Sequence, residues 1–299
     1  MVRRASMLLL IACGPNASNV TYLREAGDHC PVSGCSADAG GADAAPIPIP
    51  NEPLENWDTT NAGPLTGIFA VETTISARVV VPLVLHQLFR LRIVQRGAHV
   101  HEKTTLCAFQ FPDVKDVAKL AIPNKLQDLL TSKAAEADGD FLGNANVVGA
   151  TYTPPPFLMI AGAKLANEAT DPLPTSTDLT NAIDEDADGH PGVTLLANVL
   201  GCTAEEQLYV ALRTGGVLAG TVQTPDVITG KVNVKLDESI VGWSNDCLAT
   251  AAKIQIHIEP GSPFRAVRVG DDRDLDHNGN VSCPELVFAA PQLFPDSSP

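Results

Sequence analysis

Lys231 to Ser239 reads KVNVKLDES, which sets Val232, Val234 and Leu236 on one side of an extended chain and Lys231, Asn233, Lys235 and Asp237 on the other. Lys253 to Pro260, KIQIHIEP, repeats the pattern with Ile254, Ile256 and Ile258 opposite Gln255, His257 and Glu259. Side chains of a strand point to alternate faces, so a period of two with one polar face marks an antiparallel sheet. GIFAVETTI, FRLRIVQRG, LCAFQF, EQLYVALR and FRAVRVG read as further strands, and TGGVLAGTV is expected to follow EQLYVALR after a glycine turn. Gly, Pro and Asp cluster between these runs, where the chain must reverse. The pattern predicts a mainly β fold, an antiparallel β-barrel or β-sandwich of roughly eight or more strands.

The alternation breaks between about 112 and 190. DVKDVAKLA and NKLQDLLTSKAA carry apolar residues at helical spacing, such as Leu126, Leu129 and Leu130, and Pro123 separates them into two short helices. Glu136 to Asn144, EADGDFLGN, reads as a turn, and TYTPPPFLMIAG and ATDPLPTSTD as irregular proline-rich connections. The expected organisation is one β-rich domain over 64–299 with this short helical insert; two β subdomains split around 112–190 is the alternative.

The amino terminus begins with Arg3 and Arg4, continues through an apolar run from Met7 to Ala12, and reaches Leu10-Ile11-Ala12-Cys13. This order resembles the lipobox of bacterial lipoproteins. The resemblance implies a signal peptide over 1–12, removed to leave Cys13 as a lipidated new terminus, and an anchor in the cell envelope. The apolar run is too short to span a bilayer as a helix. Cleavage removes Arg3 and Arg4 and no acid, taking the net charge from −15 to −17. Gly14 rather than an aspartate follows the cysteine, which points to the outer membrane or cell surface. Residues 13–63, with ADAGGADAAPIPIPNEP at their centre, cannot build a core and read as a disordered tether.

The chain has seven cysteines; with Cys13 lipidated, Cys30, Cys35, Cys107, Cys202, Cys247 and Cys283 remain. An even set in an exported chain predicts disulfides, and six cysteines allow 15 pairings among which the sequence does not choose. No C-x-x-C pair offers a zinc site.

Two acidic loops carry the clearest chemistry. In DLDHNGNVSCPE, Asp274, Asp276 and Asn278 stand at positions 1, 3 and 5 of a twelve-residue loop, Gly279 at the bend, Asn280 at the carbonyl position, Ser282 at position 9 and Glu285 at position 12. Calcium takes six to eight oxygen ligands, and this spacing supplies them. The stretch closely resembles the EF-hand-type calcium loop, also found in dockerins. A strand-like FRAVRV precedes it where a helix is expected, and Pro284 constrains the exit, so an EF-hand helix pair is not expected. DEDADGHPGVT repeats the opening with Asp184, Asp186, Asp188 and Gly189, and His190 offers a carbonyl. It resembles the calcium loops of thrombospondin-type repeats and of bacterial surface lipoproteins. Leu195 stands at its position 12 and has no ligand oxygen in its side chain, so the missing ligands must come from elsewhere.

The balance of 20 basic and 35 acidic residues, with 5% aromatics, argues against a nucleic-acid partner, whose phosphates demand a basic face. His99 and His101 share one strand face, with His86 on the preceding segment. GWSND begins like a nucleophile elbow at Ser244, but Asp246 replaces the closing glycine. No catalytic motif is complete. The expectation is a calcium-binding envelope lipoprotein, membrane-attached through its lipid, with a structural or binding role toward an envelope partner. A lipocalin-like carrier of a lipid or small hydrophobic ligand is the alternative, and a secreted hydrolase the third reading.

Overall fold

The computed structural model describes residues 57–78, 82–110, 118–144, 147–199, 201–249 and 256–295. The signal segment, Cys13, Cys30, Cys35, the tether up to residue 56 and the first part of KIQIHIEP lie outside the described residues.

The strands are β1 (Gly67–Arg78), β2 (Pro82–Arg96), β3 (His99–Gln110), β4 (Ala118–Ala121), β5 (Ala134–Asp140), β6 (Thr151–Tyr152), β7 (Phe157–Ala161), β8 (Val193–Val199), β9 (Glu206–Thr224), β10 (Val227–Trp243), β11 (His257–Ile258) and β12 (Ser262–Val269). Two helices, α1 (Asn124–Ser132) and α2 (Cys283–Leu293), complete the described elements together with short 3-10 turns. The fold is mainly antiparallel β. One sheet runs β4-β8-β9-β10-β12-β1-β2-β3-β5, with β11 added to β1 and with β6 and β7 added to β9. It curls so that β5 touches β7, although no ladder joins them among the described residues. Following the chain of neighbours β7-β9-β10-β12-β1-β2-β3-β5 thus leads almost round a barrel.

Four local outcomes in the sheet differ from the sequence reading. TYTPPPFLMIAG, expected as an irregular proline-rich connection, supplies β6 and β7, both paired with β9. EQLYVALR and TGGVLAGTV form one strand, β9, rather than two strands with a turn between them. Gly215 and Gly216 sit mid-strand where β7 pairs closely alongside: a Cβ on Gly216 would lie 2.4 Å from the Phe157 ring, and one on Gly215 would lie 3.0 Å from the Phe157 carbonyl oxygen. Ala118–Ala121, expected as helix, pairs with the edge of β8 instead. Helix propensity is a weak preference that pairing along a sheet edge overrides. Glu136–Asp140, expected as a turn, belongs to β5 and pairs with β3. Its composition is turn-like, but the alternation holds: Ala135 and Ala137 line the interior, while Asp138 and Asp140 contact His99 outside.

The apolar residues divide by face. Leu65, Phe69, Val71, Leu91, Ile93, Val100, Phe141, Tyr152, Ile228 and Phe264 form an inner cluster. On the outer face, Ala70, Leu88, Cys107, Ala108 and Val269 pack against Val281, Cys283, Leu286, Ala290 and Phe294 from the C-terminal segment. A third cluster joins α1, through Leu126 and Leu130, to β8 and β9. Two disulfides lock this arrangement. Cys107–Cys283 pins the start of α2 to β3, and Cys202–Cys247 ties the segment after β8 to the turn after β10.

Candidate metal centres and interior cavity

The 274–285 loop leaves β12 through a short turn at Asp271–Arg273 and ends in α2. The entering element is a strand, as the sequence indicates. The exit is a helix, which the sequence reading did not anticipate. Pro284 lies in the first turn of α2, where no backbone N–H is needed, so it starts the helix instead of blocking it. Ser282 is the N-cap and Glu285 the N3 residue of a reciprocal capping box. The Glu285 carboxylate accepts from Ser282 N–H at 2.6 Å, from Ser282 Oγ at 2.8 Å and, with its other oxygen, from Leu275 N–H at 2.5 Å.

The remaining loop groups turn inward. Asp274 accepts from the N–H groups of Asn278 (3.1 Å) and Gly279 (2.7 Å). Asp276 accepts from Asn278 N–H (3.1 Å) and Nδ2 (2.9 Å), and Asn278 Oδ1 accepts from Asn280 N–H (2.8 Å). His277 and Gly279 both have positive φ, 56° and 83°, which produces the sharp bend. Carboxylate oxygens of Asp274, Asp276 and Glu285 all lie within 4.8 Å of one another. Two oxygens bound to one calcium at 2.3–2.6 Å are at most about 5.2 Å apart, so the set fits around a single ion. Glu285 is 1% exposed and Asp274 7% exposed, and among the described residues neither they nor Asp276 form an ion pair with Lys or Arg. Burial raises the Asp274 pKa, but the N–H donors of Gly279 and Asn278 and the nearby His277 oppose it, and this carboxyl is held below its ordinary value.

In the second loop, Asp184 accepts from the N–H groups of Asp188 (3.0 Å) and Gly189 (2.9 Å), and Asp188 accepts from His190 N–H (2.9 Å). Oxygens of Asp184, Asp186 and Asp188 also lie within 4.8 Å of one another. Asp186 is buried; its Oδ2 accepts from Thr194 N–H at 2.8 Å, while its Oδ1 has no hydrogen-bond partner. Burial pushes the Asp186 pKa up; the negative charges of Asp188 and Asp184 add to this, and the Thr194 N–H opposes it. Thr194, which sequence reasoning missed, closes the loop through its hydroxyl on Asp188. The residue stands one position before Leu195, where the motif offered nothing. The His190 ring stacks on Tyr209, with centroids 4.2 Å apart. Glu185 turns away from the cluster to Lys133 Nζ (2.5 Å) and Gly162 N–H (2.7 Å).

The other sequence candidates separate. His99 contacts Asp138 (3.0 Å) and Asp140 (3.2 Å), and His101 contacts Glu136 (3.0 Å) and Asp138 (3.3 Å). His86 is not with them; it lies beside Glu72 at 3.8 Å. Ser244 Oγ donates to Glu206 at 2.8 Å and accepts from Gln207 N–H at 2.8 Å. It joins β9 to the end of β10, and among the described residues no histidine stands among its hydrogen-bond partners.

The barrel interior holds a cavity of about 690 Å³, to which every strand of the near-closed round contributes. Phe89, Leu91, Leu106, Phe157, Val232 and Val234 supply apolar wall. Within that wall stands Glu102, 6% exposed, whose carboxylate accepts a short hydrogen bond from Tyr152 OH. Burial pushes the Glu102 carboxyl up to about 7, against the lowering effect of that hydrogen bond. Sequence reasoning singled out neither residue, although the alternation of His101, Glu102 and Lys103 along β3 placed Glu102 on the face opposite its charged neighbours. No family model, curated protein or solved structure matches the chain.

Proposed function

We propose that this chain is an exported, calcium-binding protein of the bacterial cell envelope, tethered by lipid at Cys13, in which calcium fixes two connections of a curled β-sheet. One observation carries the reading. Asp274 and Glu285 are buried carboxylates gathered with Asp276, among the described residues no Lys or Arg pairs with them, and buried charges are stable when paired or when they coordinate metal. Asp274, Asp276, Asn278, the Asn280 carbonyl and Glu285 would hold the ion, with Ser282 acting through water. Asp184, Asp186, Asp188 and the His190 carbonyl would hold a second, to which Asp186 Oδ1 is free to turn. The role is structural: calcium cancels repulsion among the carboxylates and anchors the start of α2. The two disulfides favour an oxidising compartment, in keeping with export.

Thermal unfolding with calcium and with a chelator tests this. A ligand at one hundred times its Kd adds about 2.7 kcal/mol to stability. Calcium should raise Tm by several degrees, and Asp274→Asn with Asp276→Asn should abolish the part due to the 274–285 loop. Coincident curves with and without calcium would refute it.

The cavity favours a second, compatible reading. A mostly apolar interior of 690 Å³ is of the size that encloses small organic ligands. It supports the carrier of a small hydrophobic molecule, with the calcium loops as reinforcement of its frame.

A further inference from the structure

We propose that the barrel interior binds an amine carried on an apolar body, with the protonated nitrogen seated against Glu102. This deepens the carrier reading and rests on it.

A carboxylate in an apolar wall needs a reason to be there, because its burial opposes ionisation. Tyr152 OH gives Glu102 one donor, whereas a carboxylate has about four lone-pair sites. Among the described residues Tyr152 is its one hydrogen-bond partner, and neither Lys nor Arg pairs with it. Tyr152 is itself fully buried, so the phenol is a fixed element of the wall. The acceptor capacity left on Glu102 is therefore available to a ligand that lines up with the cavity.

The charges around the cavity select the sign of that ligand. Glu102, Glu168 and Glu185 line it against Lys133 and Lys164, whereas the Glu136 carboxylate turns to His101 on the outer face. Lys133 is already committed, to Glu185 at 2.5 Å and to the Ile160 carbonyl oxygen at 2.6 Å. Lys164 is exposed, so an anionic head seated deep in the cavity would meet the Glu102 carboxylate, whereas an ammonium group would be attracted to it. Glu102, Thr104 and Leu106 follow one another inward-facing along β3, spanning about 13 Å at 3.3 Å per residue. The amine thus has apolar wall along which its carbon body can extend. Since Glu102 titrates near neutrality, binding of a cation should draw it toward the ionised form.

Calorimetric titration of the folded, disulfide-intact protein with octylamine, octanol and octanoate tests the assignment. Octylamine should bind about tenfold or more tighter than octanol at about pH 8, the contribution of a charge-assisted hydrogen bond, and octanoate should bind weakest. The amine preference should shrink at about pH 5.5, where Glu102 is neutral. It should also collapse in Glu102→Gln, which keeps the shape and should retain octanol binding; the pH arm makes the same test without any substitution. Octanol binding with no preference for octylamine, octanoate binding as tightly as octylamine, or a preference that survives Glu102→Gln would each overturn the head-group assignment alone. Failure of all three ligands to bind would overturn the carrier reading with it.

Discussion

Cys283, the tenth residue of the acidic loop, is covalently bound to Cys107 on the outer face of β3, 176 residues earlier in the chain. The bond lies between Ser282 and Glu285, so it holds the loop's closing carboxylate in place as well as the helix that follows. The outer cluster around it, with Ala70, Leu88 and Leu286, makes the covalent link and the packing mutually supportive.

This geometry predicts unequal consequences for the two disulfides. Loss of either should cost about 2–5 kcal/mol of stability. Replacing Cys107 and Cys283 by Ser should in addition weaken calcium binding, because Glu285 loses its anchor. Replacing Cys202 and Cys247 should lower Tm while leaving the calcium affinity of the 274–285 loop unchanged. Calcium titrations of the two double variants check this.

Glu102 should impose a pH dependence of its own. Its pKa is about 7 in the folded protein against an ordinary 4.5. A carboxyl raised on folding supports the native state fully below pH 4.5, and that support is lost as pH rises to 7. Glu102→Gln should therefore stabilise the protein by up to about 3 kcal/mol above neutrality and have little effect near pH 4. Denaturant unfolding of both proteins across that range measures the difference; destabilisation of the variant above neutrality would count against the buried, raised carboxyl.

The β3–β5 edge should loosen with rising pH. Hydrogen bonds that the His99 ring donates to Asp140 and then to Asp138 raise its pKa above the ordinary 6.5. A histidine raised on folding contributes stability below 6.5, and that contribution disappears as pH climbs through its folded value. Amide exchange in Ala134–Asp140, corrected for intrinsic rate, should speed up between about pH 6 and pH 8.5, and His99→Gln should remove the change.

Lipidation is checked by fractionation. Cys13→Ala should move the protein from the membrane to the soluble fraction, since the acyl chains would supply the attachment. Unchanged membrane association would refute the anchor.

Much of this architecture was legible in the sequence because alternation survives wherever one strand face meets the interior. Val232 and Val234 lie on the cavity wall, and the gathering of carboxylates in the two acidic loops was readable because their spacing is local. What was hidden depended on distant partners. Gly215 and Gly216 read as a turn because their pairing with the strand that carries Phe157 is invisible along the chain. Pro284 read as an obstacle because its harmlessness depends on where α2 begins. Glu102 acquires its character from Tyr152, fifty residues later, and no local pattern announces that meeting.

Equilibrium titration of the chelator-stripped, folded protein with calcium, counting ions bound per chain, tests the central claim most directly. The account predicts two ions for the unaltered protein, one after Asp274→Asn with Asp276→Asn, and one after Asp184→Asn with Asp186→Asn, each pair belonging to a single acidic cluster. A folded protein that binds no calcium at millimolar concentration, the weak end of extracellular sites, would contradict it.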